Sequence, residues 1–127
     1  MDIKHLKEKT VLYVEDDAAI MQSFTKILKK VFAEVKTAIN GKEGLEVFKE
    51  NEDISFVITD IKMPKMDGLD MAKAIKDISP NTPFILTTAH GEYDYFLRAD
   101  EVGVYRYIQK PINVNELLQA LSEYEEN

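Results

Sequence analysis

Thr10-Val11-Leu12-Tyr13-Val14-Glu15-Asp16-Asp17 decides how this chain is read. Five apolar or β-branched residues run straight into three acids. A run that is apolar on both faces has the pattern of a strand buried on both sides, as in a parallel sheet. Its carboxyl end is then a knot of like charge, in which each carboxylate disfavours ionisation of the next. A fold that keeps such a knot has reason to hold a cation there.

Working outward, four more runs read as strands: Glu34–Ala38, 56–59, 83–88 and 105–109. Helical periods separate them. Ile20, Phe24, Ile27, Leu28 and Val31 fall on one helical stripe. Asn40 precedes 41–50 with Glu43 three positions on, the pattern of a capping box, and Asn113 with Glu116 repeats it before 114–124. A helix over 68–78 stops before Pro80, and one over 92–102 stops at Gly103. Strand and helix alternate five times, which predicts an α/β fold: parallel strands with right-handed helical crossovers in three layers. Ligands of such sheets sit beyond the carboxyl ends of the strands. Glu15, Asp16, Asp60, Thr88 and Lys110 all fall there.

At 127 residues the chain is expected to be one domain spanning 1–127, long enough to bury a core. Without cysteine it has no disulfides and no thiolate metal site. A net charge of −7 argues against direct nucleic-acid binding, which needs a basic footprint. No apolar run approaches the ~20 residues that span a bilayer, and the first residues lack a secretory signal. The expectation is a cytoplasmic protein with no membrane insertion.

The acids and the lysine suggest a hard metal ion beside a phosphoryl group. Mg²⁺ takes oxygen ligands and typically one or two carboxylates. Asp16 and Asp60 suit direct ligation, with Glu15 acting directly or through water, whereas Asp17 suits the N-cap of the following helix. Asp60, at the end of Phe56-Val57-Ile58-Thr59, is the candidate nucleophile, since a carboxylate can accept a phosphoryl group as an aspartyl-phosphate. Lys110 is the candidate partner for a phosphate oxygen. Thr88 is a candidate hydroxyl donor, and spacing alone does not separate it from Thr87. Tyr105 and Tyr107 alternate on the last strand with the same ambiguity.

Four motifs in combination resemble the response-regulator receiver domains of two-component signalling: Val-Glu-Asp-Asp at 14–17, Thr-Asp-Ile-Lys-Met-Pro-Lys-Met-Asp-Gly at 59–68, Thr-Ala at 88–89 and Lys-Pro at 110–111. The resemblance runs from Thr10 to about Tyr124. It implies a flavodoxin-like (βα)5 sandwich with strand order 2-1-3-4-5. It further implies Asp60 as phosphoacceptor, Glu15 and Asp16 as acids for Mg²⁺ (Mn²⁺ substituting), and the backbone carbonyl of Lys62 completing the metal shell. Thr88 would follow the phosphoryl group and Lys110 would pair with it. Tyr107 would be the aromatic switch, and the side chains of Lys62 and His90 would tune dephosphorylation. The implied activity is signalling and not enzymatic turnover, beyond self-phosphorylation from a donor and autodephosphorylation.

The implied partners are a histidine kinase or phosphotransfer protein upstream and an effector protein or domain downstream. A homodimer through the fourth helix, fifth strand and fifth helix is a further possibility. The chain is expected to stand alone; the alternative is a receiver cut from a larger regulator, kinase or cyclase. A Mg-dependent aspartyl-phosphate phosphatase would need an acid where Lys62 stands. A flavodoxin would not place three acids in its phosphate loop.

Overall fold

Four of the helices begin on a side chain that accepts a backbone N–H. A computed structural model describes residues 2–51, 53–89 and 95–124. A 3-10 helix over Lys4–Glu8 leads into β1 (Thr10–Val14), α1 (Ala18–Val31), β2 (Glu34–Ala38), α2 (Gly41–Glu50) and β3 (Ile54–Asp60). Then follow α3 (Gly68–Ile78), β4 (Phe84–Thr88), α4 (Tyr95–Val102), β5 (Arg106–Gln109) and α5 (Val114–Glu123). Asp17 caps α1 by accepting from Ile20 N–H at 3.0 Å. Asn40, Asp67 and Asn113 do the same for α2, α3 and α5. Gly103 closes α4 at φ 86°, a backbone angle for which glycine carries no steric cost.

The five strands are parallel in the order β2-β1-β3-β4-β5, as the family resemblance implies. One apolar layer joins Val11, Tyr13, Ile58, Ile85 and Ile108 to Leu28, Leu117 and Leu121 of α1 and α5. The other joins Leu12, Val14, Val57 and Phe84 to Phe48 of α2 and Met71 and Ile75 of α3. The period of two along each strand thus sends alternate residues into separate layers. β1 and β4 are buried throughout, as a central parallel strand should be. Among the described residues no helix is long and apolar enough to cross a membrane.

Bounds differ from expectation in instructive places. β3 starts at Ile54, which pairs with Thr10 across a register shift, and it runs through Asp60 itself. β4 starts at Phe84 because Pro83 has no N–H to donate. β5 starts at Arg106, although Tyr105 N–H still donates to Phe84 O at 2.9 Å. α5 ends at Glu123, with Tyr124 extended beyond it. The expected fourth helix began at 92, which lies outside the described residues; the described helix starts at Tyr95.

Candidate functional site

The register that builds the sheet also builds the site. Tyr13 pairs with Ile58 and Val14 with Thr59. One step further along the same two strands come Glu15 and Asp60, on the row that carries Tyr13 and Ile58 below. Lys110 follows β5, its N–H donating to Thr88 O at 2.7 Å, so the end of β4 fixes where it emerges. The Lys110-Pro111 bond beyond it is cis.

Lys110 Nζ donates to Asp60 Oδ2 at 2.8 Å and lies 3.2 Å from Glu15 Oε1. One ammonium therefore serves two carboxylates that are almost fully inside: Glu15 is 1% exposed and Asp60 8%. The other oxygen of each acid is occupied by backbone. Glu15 Oε2 accepts from Asp17 N–H at 3.1 Å, and Asp60 Oδ1 from Ile61 N–H at 2.9 Å. Glu15 Oε1, buried and ion-paired with Lys110, has no partner of hydrogen-bond geometry among the described residues. Asp16 is exposed, yet oxygens of Glu15, Asp16 and Asp60 all lie within 4.8 Å of one another. Three converging carboxylates, two of them almost fully buried, make a donor set for a hard cation.

Electrostatics follow from this crowding. Burial, above all, pushes the Glu15 carboxyl above its usual range and Asp60's charge adds to the push, while the Asp17 N–H and Lys110 oppose it. Burial also raises Asp60, against the hydrogen bond and charge of Lys110 and the Ile61 N–H. For Lys110 burial acts against its charge, but bonding to Asp60 and the charges of Asp60 and Glu15 outweigh it and carry its pKa up. The site is therefore strained in charge, holding more carboxylate than its one lysine balances.

The structure brings together Glu15, Asp16, Asp60 and Lys110, with Lys62 two residues past Asp60 on the loop that leaves the site. Gly68 N–H donates to Ile61 O at 2.8 Å and closes that loop. A Cβ at Gly68 would collide with the Asp60 carbonyl, so a side chain there would force the backbone to shift. The Lys62 side chain is exposed and its Nζ lies 5.7 Å from the centre of the Tyr95 ring. Thr88 is buried at the end of β4. Its neighbour Thr87 turns its hydroxyl to Thr59 O within the sheet at 3.5 Å. His90 lies outside the described residues.

The two tyrosines of the last strand part company. Tyr105 donates its hydroxyl to Ala120 O at 2.8 Å and stacks edge-on against Tyr124, fastening β5 to α5. Tyr107 donates to Asp100 Oδ1 of α4 at 2.7 Å and meets Phe96 edge-on. Burial, then Asp100, pushes the Tyr107 phenol up to about 12. Two further residues bear on the site. Asp100 is the partner of Tyr107, which the sequence shows only as one acid among many. Tyr13 is 1% exposed, with a hydroxyl that has no hydrogen-bond partner among the described residues. Burial first, then Glu15, Asp60 and Asp17, raises its pKa. Its place on the row of Glu15 was the available signal.

An apolar depression of about 400 Å³, lined by Ile20, Phe24, Ala89, Pro111 and Ile112, opens beside Lys110.

Comparison with known proteins agrees with this geometry. The model of the response regulator receiver domain matches residues 11–122. The transcriptional regulatory protein GlrR of Escherichia coli is 32% identical over 117 residues, which are 92% of this chain and 26% of that protein. The chain thus spans about a quarter of that regulator's length. The chemotaxis protein CheY of Thermotoga maritima is 38% identical over 117 residues, covering 91% of this chain and 96% of that one. A receiver domain crystal structure from Clostridium thermocellum superposes with a TM-score of 0.84 at 36% identity, covering 90% and 91% of the two chains. The chain belongs to the response-regulator receiver domain family of two-component signalling.

Proposed function

We propose that this chain is a phosphorylation-controlled signalling domain in which Asp60 accepts a phosphoryl group from a histidine kinase or phosphotransfer protein. The observation that carries this reading is Lys110 Nζ, placed 2.8 Å from Asp60 and 3.2 Å from Glu15, with an Asp16 oxygen within 4.8 Å of oxygens of both acids. In the transfer the phosphorus–nitrogen bond of a phosphohistidine breaks and a bond from an Asp60 carboxylate oxygen to phosphorus forms, with the imidazole leaving. Lys110 neutralises charge on the phosphoryl oxygens and is already held in place by β4 and β5. Burial keeps competing water away from the Asp60 carboxylate. Glu15, Asp16, Asp60 and the Lys62 carbonyl would hold Mg²⁺, which when bound supplies further neutralisation of the phosphoryl charge. Thr88 would donate to a phosphoryl oxygen, and Lys62 and His90 would set the lifetime of the phosphorylated form.

Output follows from packing. A phosphoryl group adds about −2 charge. Closure of Thr88 on that group would free space for the Tyr107 ring, which the bond to Asp100 holds against α4. The face formed by α4, β5 and α5 would change and be read by an effector protein or domain, or by a second copy. We take the chain as one receiver domain over 1–127 that works in the cytoplasm, whether alone or joined to an output domain as in GlrR-like regulators. Labelling with radioactive acetyl phosphate tests the reading: Mg-dependent incorporation in the wild type and none in Asp60→Asn supports it, and equal labelling of the two sinks it.

A further inference from the structure

α4 is fastened to its neighbours mostly by polar and aromatic contacts. Of its eight residues Ala99 alone is buried, and Leu97 stands 75% exposed. An element with so little apolar area shifts at low cost, and its side-chain ties decide where it rests. Arg98 reaches across to α3, with Nη1 3.4 Å from Asp67 Oδ2 and Nη2 3.0 Å from Asp70 Oδ1. Its guanidinium carbon lies 5.8 Å from the centre of the Tyr95 ring, and Lys62 Nζ lies 5.7 Å from the same centre. Lys62 and Asp67 stand near the two ends of the loop that leaves Asp60. That loop is therefore held to α4 twice: by Lys62 on Tyr95, and by Asp67 on Arg98. The bond from Tyr107 to Asp100 is a third tie, from β5.

We propose that Tyr95 and Arg98 form a clamp through which α4 registers the charge state of Asp60, by a route separate from Thr88 and Tyr107. The proposal rests on the reading of Asp60 as phosphoacceptor. Lys62 sits two residues beyond it, and an exposed cation–π contact is weak beside a charge-assisted bond to a phosphoryl dianion. Phosphorylation draws the Lys62 ammonium from the Tyr95 ring. Tyr95 then loses its counterpart on the loop, and on that side α4 is held by the Arg98 ion pairs to Asp67 and Asp70 alone, which a shift of α4 breaks. The clamp belongs to the unphosphorylated arrangement. A contact made in one state alone lowers affinity for any ligand that favours the other.

The test is titration of Mg²⁺-beryllofluoride, a phosphoryl mimic, followed by NMR amide shifts. It compares wild type, Arg98→Ala, Arg98→Lys, Tyr107→Phe and the Arg98→Ala/Tyr107→Phe pair. Arg98→Ala should bind the mimic about two- to fivefold more tightly, the range set by exposed ion pairs. Arg98→Lys, which cannot fork between two acids, should fall between. The same factor should persist in the Tyr107→Phe background. Equal affinities for wild type and Arg98→Ala would overturn the clamp, and a factor that vanishes with Tyr107→Phe would overturn the separate route. A wild type that does not bind the mimic would bring down the phosphoacceptor reading and the clamp with it.

Discussion

Replacing Asp16 with Asn should stabilise the metal-free protein. Asp16 is the exposed member of the acid group, and Lys110 pairs with the other two. The substitution therefore removes repulsion without breaking an ion pair, and Asp17 keeps the cap of α1. Two unit charges 4.8 Å apart in a water-like dielectric repel by about 0.9 kcal/mol. Two such pairs, roughly halved by physiological salt, leave a gain of about 1 kcal/mol. With an unfolding entropy of about 2.1 cal/mol/K per residue, that gain raises Tm by about 4 °C in a chain of 127 residues. Mg²⁺ should reverse the order. At ten times its dissociation constant a ligand of the native state adds about 1.4 kcal/mol, roughly 5 °C, and the wild type should receive this where Asp16→Asn receives little. Thermal unfolding by circular dichroism, in EDTA and in Mg²⁺, checks both halves. An Asp16→Asn protein less stable than wild type by the same amount in both buffers would refute the reasoning and make Asp16 a structural residue.

Lys110→Ala strands two buried carboxylates, at a cost of about 2–3 kcal/mol in metal-free urea denaturation, below the full range for a buried pair because Lys110 is partly exposed; a loss under 0.5 kcal/mol would contradict the pairing. Gly68→Ala should cost about 2 kcal/mol by overpacking against the Asp60 carbonyl, and phosphorylation should slow with it. The raised Glu15 and Asp60 carboxyls give a pH signature. Native acids hold protons to higher pH than unfolded ones, whose values are about 4. Their contribution is thus full below about pH 4 and is lost as pH rises through their raised native values. In EDTA, wild type should lose stability over that window relative to a Glu15→Gln/Asp60→Asn protein, and a relative gain would contradict the shifts.

What was legible in the sequence divides by the range of the interaction. Strand order came from resemblance, since periodicity marks a strand but not its neighbours. The α1, α2 and α5 caps were legible because Asp17, Asn40 and Asn113 act within three residues of themselves, whereas Asp67, read only as part of a turn, caps α3 in the same way. The convergence of Glu15, Asp60 and Lys110 was legible because all three end apolar runs, and parallel strands end on one side. Partners across elements were not. Arg98 finds Asp67 and Asp70 some thirty positions away, and nothing local marks Asp100 as the acid that holds Tyr107. The 3-10 helix over Lys4–Glu8 was missed because Leu6, although fully buried, is a single apolar residue among charges and leaves no period to detect.

Acyl phosphates are reduced by borohydride to the alcohol, which turns a phosphorylated aspartate into homoserine. Treating the protein with acetyl phosphate and Mg²⁺, reducing it, and sequencing the peptide that spans Ile54 to Lys62 by mass spectrometry tests the central claim most directly. Homoserine should appear at position 60 when donor and metal are both present, and disappear in EDTA. A protein that takes up phosphate while residue 60 remains aspartate would contradict the account.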